Sequence, residues 1–147
     1  MSVPDCAQAA LLEACGILGV KMPPLQVVHE NEGKRDAMMA YRYSEQMDAG
    51  VIVLFLQALL NSYHSLIEES SWDTESLPLQ MFTFWVTYHE AAHVKMVNEF
   101  DIPIRAFSQF DSRSPEEQVA NAFANLYVLP LTEGSWPAFH LASVLHL

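Results

Sequence analysis

Apolar residues recur at helical spacing from Asp5 to Gly19, at Ala7, Ala10, Leu11, Ala14, Ile17 and Leu18. Asp5 can cap the start of this helix and Gly19 can close it. Pro23-Pro24 breaks the pattern. Leu25 to Glu30 predicts a short strand, and Asn31-Glu32-Gly33-Lys34 a turn. From Ala37 to Ser44, Met39, Tyr41 and Tyr43 alternate with Met38, Ala40 and Arg42, which predicts a second strand. Asp48-Ala49-Gly50 reads as another turn. Val51 to Leu56, β-branched and apolar, predicts a third and more buried strand. Three strands joined by two turns predict a small antiparallel meander. A helix is expected from Gln57 to Glu68, although the run Val51–Leu60 fits either state by periodicity alone. After a polar loop, Ser76 can cap a long helix running from about Pro78 to Phe100, which Pro103 stops. Ser114-Pro115-Glu116-Glu117 opens one more helix, ending near Pro130. The apolar tail, 131–147, has room for a short last helix. The expected class is α+β, with a small antiparallel three-stranded sheet packed on helices.

A chain of 147 residues, 51% of them apolar, fits one domain spanning 1–147 with a real core. The formal charge of −11, from 18 acidic and 7 basic residues, repels phosphate backbones and argues against direct nucleic-acid binding. Cys6 and Cys15 lie nine residues apart on one predicted helix, about 13 Å of rise. That is too far for a disulfide, and no CxxC pair is present, so reduced thiols are expected. Met1-Ser2-Val3-Pro4-Asp5 lacks the basic stretch of a signal peptide. The longest apolar run is far short of the ~20 residues that span a bilayer. The expectation is a soluble, cytoplasmic protein with no membrane partner.

The chemistry concentrates at His89-Glu90-Ala91-Ala92-His93. Histidines four apart on a helix share one face, one turn apart, and can reach one zinc ion at ~2.0–2.1 Å. Glu90 projects about a quarter-turn away, where it can touch a metal-bound water and act as general base. Chance yields this pattern in roughly 2% of shuffles of the same composition, so its context must carry weight. A catalytic zinc needs a third protein ligand. The extension H-E-x-x-H-x-x-G-x-x-H fails, because position 96 is Met and position 99 is Glu. The third ligand is therefore expected from the next helix, at Glu117. Ala120 and Ala124 would let that helix approach closely, and Asn121 is placed to orient a histidine by a hydrogen bond. Ser114 and Glu117 also read as a capping box, which leaves Glu116 as the alternative ligand. Tyr127 and His140 are candidate donors to an oxyanion. His29, His64 and His146 read as ordinary histidines, and Asp101 and Asp111 as turn residues.

The H-E-x-x-H helix followed by Glu117, Ala120, Asn121, Phe123, Ala124 and an apolar run to Pro130 resembles the ImmA/IrrE family of zinc peptidases. The resemblance covers about residues 80–130. It implies a gluzincin-like fold, with His89, His93 and Glu117 holding Zn2+ and Glu90 as catalytic acid/base. It also implies an endopeptidase acting on a specific protein, such as a helix-turn-helix repressor of a phage, mobile element or stress operon. Ala92 stands where family members usually carry Gly, and Val119 where a polar residue is common. The alternative is a non-catalytic zincin-fold protein that acts by binding a partner protein.

Overall fold

The computed structural model describes residues 2–29, 37–69, 74–75, 77–101 and 115–128. The first helix, α1 (Val3–Leu18), begins one turn earlier than the periodicity predicts, because Ser2 and not Asp5 is its cap. The Ser2 hydroxyl accepts from the Asp5 backbone N–H at 3.2 Å. Asp5 instead sits in the first turn, where the helix dipole favours a carboxylate. Gly19 closes the helix in the left-handed region, at φ 69°, and the Val20 N–H returns to the Cys15 carbonyl at 3.0 Å. Ala7, Ala10, Leu11, Ala14 and Cys15 face the core, whereas Ile17 is 43% exposed. Cys6 and Cys15 are buried free thiols, and burial raises the pKa of both, as expected of inert cysteines.

Three strands follow: β1 (Leu25–Val28), β2 (Met39–Ser44) and β3 (Ala49–Phe55). The expected antiparallel meander is corrected to a mixed sheet of order β1-β3-β2. β2 and β3 form the antiparallel hairpin, with Tyr41 opposite Ile52. β1 joins the other side of β3 and runs parallel to it, with Leu25 opposite Ile52. The physical reason is burial. A meander would have put β2 in the middle, but β2 ends in the half-exposed Arg42, Tyr43 and Ser44. Only β3, whose Val51–Phe55 stretch is wholly buried, can tolerate a neighbour on each side and a layer on each face. Asp48, at φ 49°, makes the reversal. Ala49 and Gly50, expected in the turn, already pair with Ser44 and Tyr43. The turn expected at 31–34 and the cap expected at Ser76 lie outside the described residues.

The apolar run Val51–Leu60 divides between strand and helix, since α2 (Leu56–Glu69) starts directly after Phe55. One sheet face gives Met39, Tyr41, Ile52 and Leu54 to the main core. The other gives Ala40, Val51, Val53 and Phe55 to a smaller cluster with Ala58. The centre of the main core is α3 (Leu79–Glu99), against which α1, α2, β2 and α4 (Pro115–Val128) all pack. α3 ends where Asp101 turns left-handed at φ 53°. The α+β class therefore holds, with the helices rather than the small sheet supplying most of the core. No described helix is long and apolar enough to cross a membrane.

Candidate metal centre

Helix α3 is buried on every side from Trp85 to Val94. A helix with no wet face must settle each polar side chain internally. Thr83 and Thr87 do so locally, donating to the carbonyls of Leu79 at 2.9 Å and Thr83 at 2.7 Å. His89, Glu90 and His93 gather into one cluster, and both histidines meet Glu117 of α4.

The one-turn spacing of the histidines places their Nε2 atoms 3.2 Å apart. Glu117, in the first turns of α4, meets both. Its Oε2 lies 2.8 Å from His89 Nε2 and its Oε1 lies 3.0 Å from His93 Nε2. Close approach of the helices makes this possible, because α4 turns Ala120 and Ala124, both fully buried, toward α3. All four groups are out of water: His93 is 0% exposed, Glu90 and Glu117 4%, and His89 7%. A surface pair of histidines with Glu90 in solvent is thereby excluded.

Two carboxylates approach the imidazoles. Glu90 belongs to a cluster with His89 and His93 whose ligand atoms lie within 4.8 Å of one another, a group that could hold a metal ion. Glu117 is nearer, bridging both Nε2 atoms within 3.0 Å. We therefore take the two imidazoles and Glu117 as the tighter donor set, with Glu90 beside it. Glu116, the alternative, is only half-buried in the first turn of α4.

The electrostatics follow from this packing. Burial pushes the Glu117 carboxyl up, but hydrogen bonds from His89 and His93 and their nearby charge outweigh it and hold the group at about 2. Burial pulls His93 down, yet its hydrogen bond to Glu117 and the charges of Glu90 and Glu117 leave its pKa raised. A buried cluster of titratable groups with perturbed pKa values is a candidate functional site.

The other expected residues divide. Asn121 is 8% exposed and follows Glu117 by one turn on the same stripe of α4. Tyr127 is 40% exposed, and its ring packs on Phe123 at 4.9 Å and Tyr88 at 6.5 Å, with no hydrogen bond to the histidines. His29 and His64 are exposed, as ordinary histidines should be. His140, His146 and Asp111 lie outside the described residues.

Two residues were given no role at the site from the sequence. Trp85, one turn before His89, stacks on its ring with centroids 5.5 Å apart and planes 23° from parallel. The Trp85 indole Nε1–H donates to Asn125 Oδ1 at 2.8 Å. The signal was present as two four-residue ladders, Trp85-His89-His93 on one helix and Glu117-Asn121-Asn125 on the next. Compared with protein-family models, curated proteins and solved structures, the chain matches none.

Proposed function

We propose that the chain is a zinc-dependent endopeptidase of gluzincin type. The observation that carries this reading is the meeting of Glu117 with both histidine Nε2 atoms, at 2.8 and 3.0 Å, in a buried site beside Glu90. Donors bonded tetrahedrally to zinc at ~2.0–2.1 Å stand ~3.3 Å from one another. The three donor separations, 2.8, 3.0 and 3.2 Å, need to open by only a few tenths of an ångström. Two imidazoles and one carboxylate are also the donor set of catalytic rather than structural zinc, because a fourth position stays open for water.

His89, His93 and Glu117 would hold the ion. When bound, it would polarise the scissile carbonyl and bring the pKa of its water down to about 7. Glu90 is 4% exposed and lies within the histidine cluster. It takes the proton of the attacking water and passes it to the departing amine nitrogen. Burial in a low dielectric strengthens both transfers. β1 and β2 are the two edges of the sheet, so an extended peptide has a backbone ladder to join. The resemblance to the ImmA/IrrE peptidases adds a protein substrate, with a helix-turn-helix repressor as the first to test.

One observation favours a second reading, a zincin-fold protein that binds a partner without cutting it. No member of the cluster is more than 8% exposed, so a peptide reaches Glu90 only if the site opens.

The test is elemental analysis with a peptide-cleavage assay. Protein purified without chelator should carry about one zinc per chain, and Glu117→Ala should lose it. Glu90→Gln should keep the zinc and cleave a mixed fluorogenic peptide library 10²–10⁴-fold more slowly, the scale of one general base. Wild type that takes up no zinc would end the metal reading. Zinc-loaded wild type no faster than Glu90→Gln would leave the binding protein.

A further inference from the structure

The two ladders that face each other across α3 and α4 run in opposite directions. Trp85 lies opposite Asn125, and His93 lies opposite Glu117, eight residues away on each helix. Eight residues are about 12 Å of helix. The ligand set is thus split between two helices, and its geometry depends on how far α4 has slid or turned along α3. The apolar contacts between them include the Tyr88 ring of α3 against Phe123 and Tyr127 of α4, beside the buried Ala120, Ala124 and Val128. Apolar contacts of this kind are non-directional, so they fix the position of α4 along α3 less sharply than a hydrogen bond does. The Trp85–Asn125 hydrogen bond is directional, and Trp85 is 2% exposed, so a shift of α4 by even 1–2 Å would leave a buried indole N–H without its acceptor. The same indole lies against the His89 ring. One side chain therefore touches both a ligand-bearing ring and the far end of the helix that brings the third ligand.

We propose that the Trp85–Asn125 pair is a register pin: it fixes the position of α4 along α3 and so delivers the Glu117 carboxylate to His89 and His93. Trp85 and Asn125 are positioning residues, acting through the ligands without touching the substrate. The proposal rests on the metal reading above for its main readout. It separates from that reading in the metal-free protein, where the pin must act as well.

Asn125→Leu keeps the size of the side chain and removes the acceptor. Asn125→Asp keeps the acceptor. Zinc affinity, measured by competition with a chromogenic chelator on folded protein, should fall roughly tenfold in Asn125→Leu, the lower end of what partners of metal ligands contribute. It should stay within about twofold of wild type in Asn125→Asp, because the indole N–H again has an oxygen to donate to. A purely stabilising role would lower the thermal midpoint of Asn125→Leu and leave the affinity of the folded fraction unchanged. That result, or an equal loss in both variants, would overturn the proposal. If wild type itself binds no zinc, the metal reading falls and the pin is judged on amide exchange. Asn125→Leu must then speed exchange around Glu117 in the first turns of α4, and Asn125→Asp must not. Equal exchange in all three proteins would overturn the pin as well.

Discussion

Against α1, helix α3 packs an apolar surface in which Ala7, Ala10, Leu11 and Ala14 are fully buried. Against α4, the same helix presents two imidazoles and an indole to a carboxylate and an amide. The two interfaces are of similar extent and flank one helix, but they are built for different ends. The α1 side is what a core needs, with small residues for close approach and a few aliphatic knobs to exclude water. The α4 side stacks up desolvation costs that apolar residues of the same volume would avoid. A fold with no chemistry to perform would have made both sides alike. The polar side therefore carries a desolvation cost that the apolar side avoids, and the two sides should respond differently to substitution.

The largest effect on stability is expected on the apolar side. Leu11 is fully buried in the main core, so Leu11→Ala removes its packing and leaves a cavity. The expected cost is about 2–5 kcal/mol in urea denaturation. Zinc stoichiometry of the folded fraction should stay at the wild-type value. A variant that keeps its stability, or that loses zinc while still folded, would show that the interfaces are not separate in the way their composition suggests.

The same contrast explains what could be read from the sequence. Helix α1 was legible because its partner needs only an apolar stripe, and periodicity reports a stripe directly. His89, Glu90 and His93 were legible for a similar reason, since four-residue spacing on one helix is local geometry. Glu117 was legible as far as the small-residue stripe at Ala120 and Ala124 said which face of α4 turns inward. Its bridging of both imidazoles was not, because that depends on the sliding of two helices. The sheet order failed for the same cause: strand pairing is a long-range choice, and turn residues suggest only which strands are neighbours in the chain. The burial of Val51–Phe55 held the better clue, since a run with no polar alternation belongs in the middle of a sheet. The packing of the Tyr127 ring on Tyr88 was not legible, because an aromatic on the ligand helix can point to either side and the sequence does not say which.

On the polar side the next effect is one of pH, and its sign depends on the metal. In the metal-free protein Glu117 is held at about 2 against an ordinary 4.5, so its contribution is present above pH 4.5 and is lost as pH falls toward 2. His93 is raised above its ordinary 6.5, so its contribution is present below pH 6.5 and is lost as pH rises through the folded value. The metal-free centre should therefore stabilise the fold most between about pH 4.5 and 6.5. Zinc needs neutral imidazoles, so its binding should strengthen over the range in which the metal-free contribution fades. Thermal midpoints taken with chelator should decline above pH 6.5, and midpoints taken with zinc should hold or rise. Glu117→Gln should flatten the chelator curve by removing the charge that raises His93. Parallel curves with and without zinc would show that the imidazoles do not exchange protons for metal.

The smallest effect is expected at a polar pair on the apolar side. The Tyr88 hydroxyl donates to the Glu13 carboxylate across the rim of the α1–α3 interface. Burial first, and then Glu13, pushes the Tyr88 phenol above its ordinary pKa, which keeps it a donor at any physiological pH. Glu13 is exposed, so water competes for the bond and its net worth is that of one ordinary hydrogen bond, about 0.5–1.5 kcal/mol. Tyr88→Phe should cost that much in urea denaturation, since the ring and its stacking on Phe123 remain. Zinc affinity should not change, although Tyr88 and His89 are neighbours in the chain. That adjacency gives this small substitution its value. Consecutive residues on a helix point about 100° apart, so Tyr88 can serve the ring cluster while His89 serves the ligand set. A drop in zinc affinity in Tyr88→Phe would mean that strain passes around the helix from one side to the other. The division of α3 into a packing side and a chemical side would then have to be redrawn as a single coupled unit.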